Sequence, residues 1–222
     1  MNGERCVVAV DGPGGSGKST VSRRLAARLG ARYLDTGAMY RAVTWAVLQA
    51  GVDPHDADSV GKVAREAELS ITTEPVPATV VINGVDVTGD IRGPEVTGEV
   101  SAVSAVPEVR RVLVARQKEI IAAVQRIVVE GRDIAAVVAP DADLKVFLTA
   151  SAAERARRRS REHGADPAAV AAALDRRDLL DSTRRVDPLQ PAPDAVVLDT
   201  TDLGIEEVVE RLLEMLRARG RA

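Results

Sequence analysis

Residues 12–19 read GPGGSGKS, which matches the pattern G-x-x-x-x-G-K-[ST]. This pattern is typical of a loop that binds a triphosphate, because glycines let backbone N–H groups approach phosphate oxygens without a Cβ clash. The apolar run CVVAV at 6–10 comes just before it and predicts a buried strand. From Lys18 to Leu29 apolar residues recur every four positions, which predicts a helix that ends at Gly30. A strand, a glycine-rich turn and a helix are the context that the pattern requires.

Each part of this phosphate loop (residues 12–19) has an expected role. The helix N-terminus contributes a favourable dipole toward an anion. Lys18 is expected to reach the β- and γ-phosphates and to act in catalysis, and the Ser19 hydroxyl is expected to ligate Mg²⁺. The predicted triphosphate-binding residues are Gly12, Pro13, Gly14, Gly15, Ser16, Gly17, Lys18, Ser19 and Thr20.

Strand-like and helix-like segments alternate along the chain, which predicts an α/β fold with a parallel sheet covered by helices on both faces. Strands are predicted at 6–10, 32–35, 127–130, 144–149 and 195–200, and helices at 18–29, 38–50, 94–125 with a break near Pro107, 151–163, 167–182 and 204–219. Two further strand-like runs, 69–73 and 79–82, come before Asn83-Gly84, a type I′ hairpin signal. We therefore expect residues 62–92 to form a small β-containing insert.

Composition excludes several classes of protein. No apolar run approaches the roughly 20 residues that a membrane-spanning helix needs. The N-terminal apolar run is also shorter than a signal-peptide core, so we expect a cytoplasmic protein without a membrane partner. Cys6 is the only cysteine, which excludes an internal disulfide and, with only two histidines, nearly excludes a Cys/His zinc site. Four aromatic residues are too few for a protein that stacks nucleic-acid bases, so we expect no polynucleotide partner.

Arginine is concentrated in one segment of the chain. Of the 30 basic residues 26 are arginines, and residues 155–185 hold nine of them against five acidic side chains. Residues 51–100, by contrast, carry ten acidic and three basic side chains. A compositional bias and a solvated helix face are two explanations for the arginines. The third is recognition of phosphate, to which the planar, bidentate guanidinium group is suited.

Triphosphate binding alone leaves several functions open. A GTPase switch needs an Asn/Thr-Lys-x-Asp guanine motif, and the sequence contains none. A mechanical ATPase could use IVVE at 127–130 as the strand whose final carboxylate polarises water. A small-molecule kinase instead predicts a second anion site and a mobile arginine-rich cover that excludes water, which the arginines of 155–185 would supply.

Several stretches together resemble one family, the bacterial cytidylate kinases, which belong to the nucleoside monophosphate kinases. The matching stretches are DGPGGSGKST (11–20), YLDTGAMYR (33–41), INGVDVTGDIR (82–92), the segment 101–110 ending in PEVR, VEGRDIAAVVAPDA (129–142), ERARRR (154–159), RDLLDSTRRVDPL (177–189) and DAVVLDTT (194–201). They follow the family order along essentially the whole chain. Many kinases share the phosphate loop, whereas LDTGAMYR, GRD and RDxxDxxR are far more specific. The resemblance implies a P-loop kinase that uses ATP and Mg²⁺ to convert CMP and dCMP to CDP and dCDP.

The resemblance also implies which side chains bind the substrates. The implied positions are Thr36, Arg110, Asp133 and Arg184 at the pyrimidine ring, Arg41 and Arg132 at the acceptor phosphate, Ser101, Arg177 and Asp181 near the sugar, and Arg155, Arg158 and Arg159 on a mobile lid. Lys18, Arg132 and Arg158 are the residues expected to act in catalysis. Thr36 stands where many members have Ser, Glu130 where Asp is frequent, and Ala135-Ala136 where Gly-Thr is common.

The resemblance further implies one kinase domain, which we expect to be a monomer. Its expected parts are a core of residues 1–61, 93–150 and 184–222, a monophosphate-binding insert at about 62–92, and a lid at about 151–165 followed by an arginine-rich helix at 167–183.

Two other hypotheses remain open from the residues alone. One is another small P-loop kinase, acting on UMP or shikimate. The other is a nucleotide-dependent switch or an arginine-rich nucleic-acid binder, which would phosphorylate no acceptor. Asp133 and Arg110 bear on the first if they face a pyrimidine, because an ionised carboxylate accepts a hydrogen bond from the amino group of cytosine, whereas uracil presents a carbonyl oxygen there.

Overall fold

The computed structural model describes residues 5–76, 78–163 and 166–221, apart from the side chains of residues 162, 163 and 167. Its strands are β1 (Cys6–Asp11), β2 (Arg32–Asp35), β3 (Leu69–Ile71), β4 (Val80–Ile82), β5 (Val85–Asp86), β6 (Arg126–Glu130), β7 (Leu144–Thr149) and β8 (Val196–Asp199). Its α-helices are α1 (Lys18–Leu29), α2 (Thr36–Gln49), α3 (Ala57–Glu66), α4 (Pro94–Ala105), α5 (Pro107–Ala122), α6 (Ala152–His163), α7 (Pro167–Thr183) and α8 (Ile205–Arg217). The last two residues of the predicted lid, 164 and 165, lie outside the described residues.

The main sheet has five strands in the order β2-β6-β1-β7-β8. Strand β1 runs parallel to both β6 and β7, and β7 runs parallel to β8. All six residues of β1 are buried, which suits a strand at the centre of a parallel sheet. The predicted α/β fold with a parallel sheet is therefore confirmed. The segments that follow β1, β6 and β7 all leave the sheet at its carboxyl edge, where open α/β sheets bind ligands.

Helices α1 and α8 cover the core of this sheet. Val8 of β1, Leu25 of α1 and Leu212 of α8 belong to one cluster of fully buried apolar side chains. Helix α1 ends where the sequence predicts, because Gly30 adopts the left-handed conformation with φ of +58°. The first turn of α1 includes Lys18 and Ser19, the last two residues of the phosphate loop, so the packing of α1 into the core fixes the place of that loop.

The described chain divides into two compact units, one formed by residues up to 33 and from 124 onward, the other by residues 34–123. Strand β2 leads from the first unit into the second. The predicted insert at 62–92 lies within the second unit, which is larger than the insert because helices α2, α4 and α5 also belong to it.

The second unit contains a three-stranded sheet in the order β3-β4-β5. Asn83 and Gly84 between β4 and β5 have φ of +51° and +78°, and the two strands are antiparallel, which confirms the predicted type I′ hairpin.

The predicted break near Pro107 is also confirmed, because α4 ends at Ala105 and α5 begins at Pro107. Helix α3 was not among the predicted elements. In the part of the chain that the structure describes, no helix has both the length and the apolar character needed to cross a membrane.

Candidate active site

The phosphate loop connects β1 to α1 in a conformation that requires glycine. Gly12 has φ of +144°, and a Cβ on it would lie 2.0 Å from the backbone oxygen of Leu148. Gly15 has φ of +75°, and a Cβ there would lie 2.8 Å from the backbone oxygen of Arg155. Neighbouring backbone therefore packs directly against the loop at both positions, which leaves no room for a side chain.

Lys18 begins α1 and turns its side chain back over the loop. Its ammonium nitrogen donates to the backbone oxygen of Pro13 at 2.8 Å. Burial of this group, together with the nearby charge of Arg132, lowers the pKa of Lys18 to about 7, while the Glu130 carboxylate opposes that change. A polyanion brought to this position favours the charged form, so Lys18 is suited to pair with phosphate oxygens.

Ser19 and Glu130 form an oxygen-rich pair at the start of α1. Ser19 Oγ donates to Glu130 Oε2 at 3.0 Å, and Glu130 also accepts a hydrogen bond from the Tyr33 hydroxyl. Hydroxyl and carboxylate oxygens suit Mg²⁺, which commonly keeps one or two protein ligands and fills its other positions with phosphate oxygens and water. No cluster of three or more His, Cys, Asp or Glu side chains able to hold a metal ion occurs among the described residues. The hydroxyl of Ser19 and the carboxylate of Glu130 are oxygen ligands that would fit a Mg²⁺ ion whose other ligands are phosphate oxygens and water.

Asp11, the last residue of β1, is a site residue that the sequence analysis missed. Its carboxylate accepts hydrogen bonds from the backbone nitrogens of Ile134 and Ala135, each at 2.8 Å. Burial raises the pKa of Asp11 to about 6, and the two hydrogen bonds oppose this rise. Asp11 thus ties the segment after β6 to the strand before the phosphate loop. An aspartate at the end of a buried strand was the available signal.

Three of the predicted arginines donate hydrogen bonds to backbone carbonyl groups of the phosphate loop. Arg132 donates to Gly12, Arg155 to Gly14 at 3.1 Å, and Arg158 to Ser16 at 3.4 Å. Arg158 also donates to the hydroxyl of Thr200 at 3.0 Å. The structure therefore brings two of the three predicted lid residues to the loop.

Arg159, the third predicted lid residue, lies half-buried on α6, and Thr20 lies half-buried in the first turn of α1.

The first unit also brings five of the predicted acceptor residues into ion pairs. Arg132 Nε lies 2.9 Å from a carboxylate oxygen of Asp181, and Arg177 lies 3.8 Å from the same oxygen. Arg184 pairs with Asp133 at 3.1 Å. Burial lowers the pKa of Arg177 to about 10, with the charge of Arg132 adding to the effect. Opposite charges thus compensate one another in this cluster, whose side chains are between 6% and 25% exposed.

The second unit holds the remaining four predicted acceptor residues. Thr36 begins α2, and Ser101 lies half-buried on α4. Arg41 is 5% exposed and donates from Nη1 to the backbone oxygen of Ile91 at 2.9 Å and to the hydroxyl of Thr97 at 2.8 Å.

Arg110 on α5 is also buried, with its guanidinium carbon 5.9 Å from the ring centroid of Tyr40. A buried arginine presents a rigid, planar set of N–H donors, which also suits the acceptor atoms of a pyrimidine ring. Asp35 caps α2 through the backbone nitrogen of Ala38 and pairs with Arg92 at 3.0 Å.

An open pocket of about 420 Å³ lies beside the phosphate loop in the first unit. Its lining includes Gly15, Gly17, Arg157, Thr200, Leu203 and Ile205. The residues after β8 were not predicted as site residues, although DAVVLDTT belongs to the stretches that carry the resemblance. The pocket joins apolar surface to arginine side chains, which suits a planar base.

Taken together, the parallel sheet, the phosphate loop at its carboxyl edge and the arginines on that loop define a P-loop kinase. Comparisons with known proteins narrow this class. A family model described as cytidylate kinase matches residues 8–218. The cytidylate kinase of Nocardia farcinica is 56% identical across 93% of this chain and 91% of that protein, and that of Rhodococcus opacus is 54% identical across 99% and 98%. The chain belongs to the cytidylate kinase family.

Among solved structures, an uncharacterized protein from Eubacterium ventriosum superposes with a TM-score of 0.56 over 97% of this chain and 99% of that chain. The two sequences are 9% identical, so this likeness concerns the fold alone.

Proposed function

We propose that this chain transfers the γ-phosphoryl group of ATP to CMP and dCMP, which gives ADP together with CDP or dCDP. The match to the cytidylate kinase family from residue 8 to residue 218 carries this proposal. The phosphate loop and the buried, paired acceptor residues support it, because such a reaction needs two anion sites. Neither a UMP or shikimate kinase nor a nucleotide-dependent switch is favoured by this match.

On the donor side, the phosphate loop binds the triphosphate and Lys18 contacts its β- and γ-phosphates. Ser19 and Glu130 would hold Mg²⁺, which would supply neutralisation of phosphate charge when bound. The pocket beside the loop, lined by Arg157, Leu203 and Ile205, receives the base of ATP. Arg155 and Arg158 on α6 cover the loop and exclude water from it.

On the acceptor side, two arginines bind the monophosphate, and other polar side chains bind its sugar and base. The proposed contacts are Arg41 and Arg132 to the phosphate, Ser101, Arg177 and Asp181 to the sugar, and Thr36, Arg110, Asp133 and Arg184 to the pyrimidine. Asp133 accepts a hydrogen bond from the cytosine amino group, and its pair with Arg184 at 3.1 Å keeps the carboxylate oriented.

The chemistry needs no strong general base. An oxygen of the CMP phosphate is already ionised and attacks the γ-phosphorus, so a bond to that oxygen forms as the bond to ADP breaks. Lys18, Arg132 and Arg158 stabilise charge on the transferred group, and catalysis consists of positioning together with this electrostatic stabilisation.

A coupled assay of ADP release tests the proposal. Purified protein is mixed with ATP, Mg²⁺ and one acceptor at a time, chosen from CMP, dCMP, UMP, AMP, GMP and shikimate. We expect rapid release with CMP and dCMP, slow release with the other acceptors, and none when EDTA exceeds Mg²⁺. ADP release that is equally fast without any acceptor, or fastest with another acceptor, would contradict the proposal.

A further inference from the structure

Asp178 is a carboxylate that the roles proposed above do not use. It lies on α7 between Arg177 and Asp181, and its side chain is only 19% exposed. One carboxylate oxygen forms an ion pair with Nη1 of Arg155 on α6. The other oxygen lies 3.5 Å from the backbone nitrogen of Gly14. Asp178 therefore joins three segments, which are α7, α6 and the phosphate loop.

Arg155 extends this link to two backbone carbonyl groups. Its Nη1 also donates to the oxygen of Gly14 at 3.1 Å, and its Nε donates to the oxygen of Ala150 at 3.2 Å. Both polar groups of the Gly14 backbone thus face the pair formed by Asp178 and Arg155. Because Arg155 is 8% exposed, loss of the carboxylate would leave a buried charge without this partner.

Packing supports the same contact between α7 and the phosphate loop. Leu174 lies one turn before Asp178, and its Cδ2 atom is 2.8 Å from where a Cβ on Gly14 would lie. Farther along α7, Asp181 pairs with Arg132 at 2.9 Å, and Arg132 donates in turn to a carbonyl of the loop. Helix α7 is therefore held against the loop at two points, one at Asp181 and one at Asp178. The contact at Asp178 also includes Arg155 of the lid helix α6.

We propose that Asp178 is a positioning residue that couples acceptor binding on α7 to the order of the phosphate loop that binds ATP. The coupling rests on the proposed function, because it requires an acceptor on α7 and ATP on the loop. An acceptor that holds Arg177 and Asp181 in place also holds Asp178, and through Arg155 it holds Gly14. Each nucleotide then favours the binding of the other. Thermodynamic linkage requires that each nucleotide change the affinity for the other by the same factor.

The coupling is measured by calorimetric titration of a non-hydrolysable ATP analogue with Mg²⁺, with and without saturating CMP. In the unmodified chain we expect CMP to lower the Kd of the analogue by at least about fivefold, the lower end of typical couplings. Asp178→Asn keeps the size of the side chain and removes its charge, and we expect the CMP effect to fall below about twofold. Asp178→Glu restores a carboxylate and should recover part of the effect.

Asp175→Asn is the matched control, because it makes the same change at an exposed position of α7 and should leave the CMP effect unchanged. Thermal unfolding followed by circular dichroism establishes that each variant is folded. If Asp178→Asn does not fold, Arg155→Gln breaks the same ion pair from its other side, and we expect the same loss.

Three results would overturn the coupling role. The first is an unmodified chain that shows no CMP effect, and the second is a folded Asp178→Asn variant that keeps the full effect. The third is tighter analogue binding by Asp178→Asn without CMP, which would make Asp178 a competitor of phosphate at Gly14. Failure of the unmodified chain to phosphorylate CMP would contradict the proposed function instead, so the two failures are distinguishable.

Discussion

At the scale of single residues, Lys18 is the first test of the donor site. Lys18→Ala should lower kcat by at least about 100-fold, since it removes a preorganised donor to the charge that develops on the transferred group. Lys18 is not part of the buried apolar cluster that packs α1 against the sheet, so we expect the fold to be kept. Steady-state ADP-release kinetics measure the change, with the exposed Lys62→Ala as control. Near-normal turnover by a folded Lys18→Ala variant would contradict this role.

Asp133 is the residue on which base choice depends. With UMP, the carboxylate and the uracil carbonyl would be two acceptors facing each other in a buried site, at a cost of about 1–3 kcal/mol. We therefore expect kcat/KM for CMP to exceed that for UMP by at least about tenfold. Asp133→Ala should reduce this ratio, mainly by impairing the reaction of CMP.

The alternative role for Asp133 is to hold its loop through the ion pair with Arg184. In that case Asp133→Ala would slow the reactions of CMP and UMP in proportion, and the ratio between them would not change. Asp141→Ala, at an exposed position just before β7, serves as the control for general effects of removing a carboxylate.

The sequence identifies residues of the loop itself more readily than the partners that hold them. The glycines and Lys18 are recognisable because their spacing within eight residues is the signal. Asp11 binds backbone more than 120 positions away, and Arg41 binds Thr97, which lies 56 positions further along. Such pairings depend on which elements become neighbours, and no local pattern encodes that.

At the scale of elements, the proposed role of the lid predicts that its motion decreases when nucleotides bind. Hydrogen exchange in peptides from α6 should slow when analogues of ATP and CMP are both bound, because the arginines of this helix then close over the nucleotides. The C-terminal half of α8, whose Leu212 and Leu216 pack into the core of the first unit, is the internal control and should show little change. Equal exchange in α6 with and without the nucleotides would identify its arginines as a solvated face.

Most elements were predictable because each has a local signal that agrees with its packing. The hairpin after β4 has Asn83-Gly84, and the break between α4 and α5 has Pro107. Helix α3 was missed although Asp56 caps it, because Gly61 interrupts its short pattern. A Cβ at Gly61 would lie 3.1 Å from the Glu108 side chain, so the contact with α5 leaves little room for a side chain at this position. The glycine that suits this contact also weakens the helical pattern in the sequence.

At the scale of the whole molecule, alternation of strands and helices predicts the fold class but not the strand order. Strand β6 lies beside β1 although residues 126–130 are far from residues 6–11 in sequence, and periodicity carries no information about such neighbours. The residues alone predict a triphosphate site, whereas CMP as the acceptor follows from the resemblance and from membership of the family. The expected monomer stays a prediction that sedimentation equilibrium can check.

Transfer of phosphate from ATP to CMP is tested by one competition experiment. Equimolar CMP, UMP, AMP and GMP are offered together with limiting ATP and Mg²⁺, and chromatography of the products gives the ratios of kcat/KM in a single vessel. We expect ADP and CDP to form in equal amounts, with UDP at no more than about a tenth of CDP. ADP that accumulates without a matching nucleoside diphosphate product would contradict a cytidylate kinase activity. A product mixture dominated by UDP, by GDP, or by ADP formed from AMP would also contradict it.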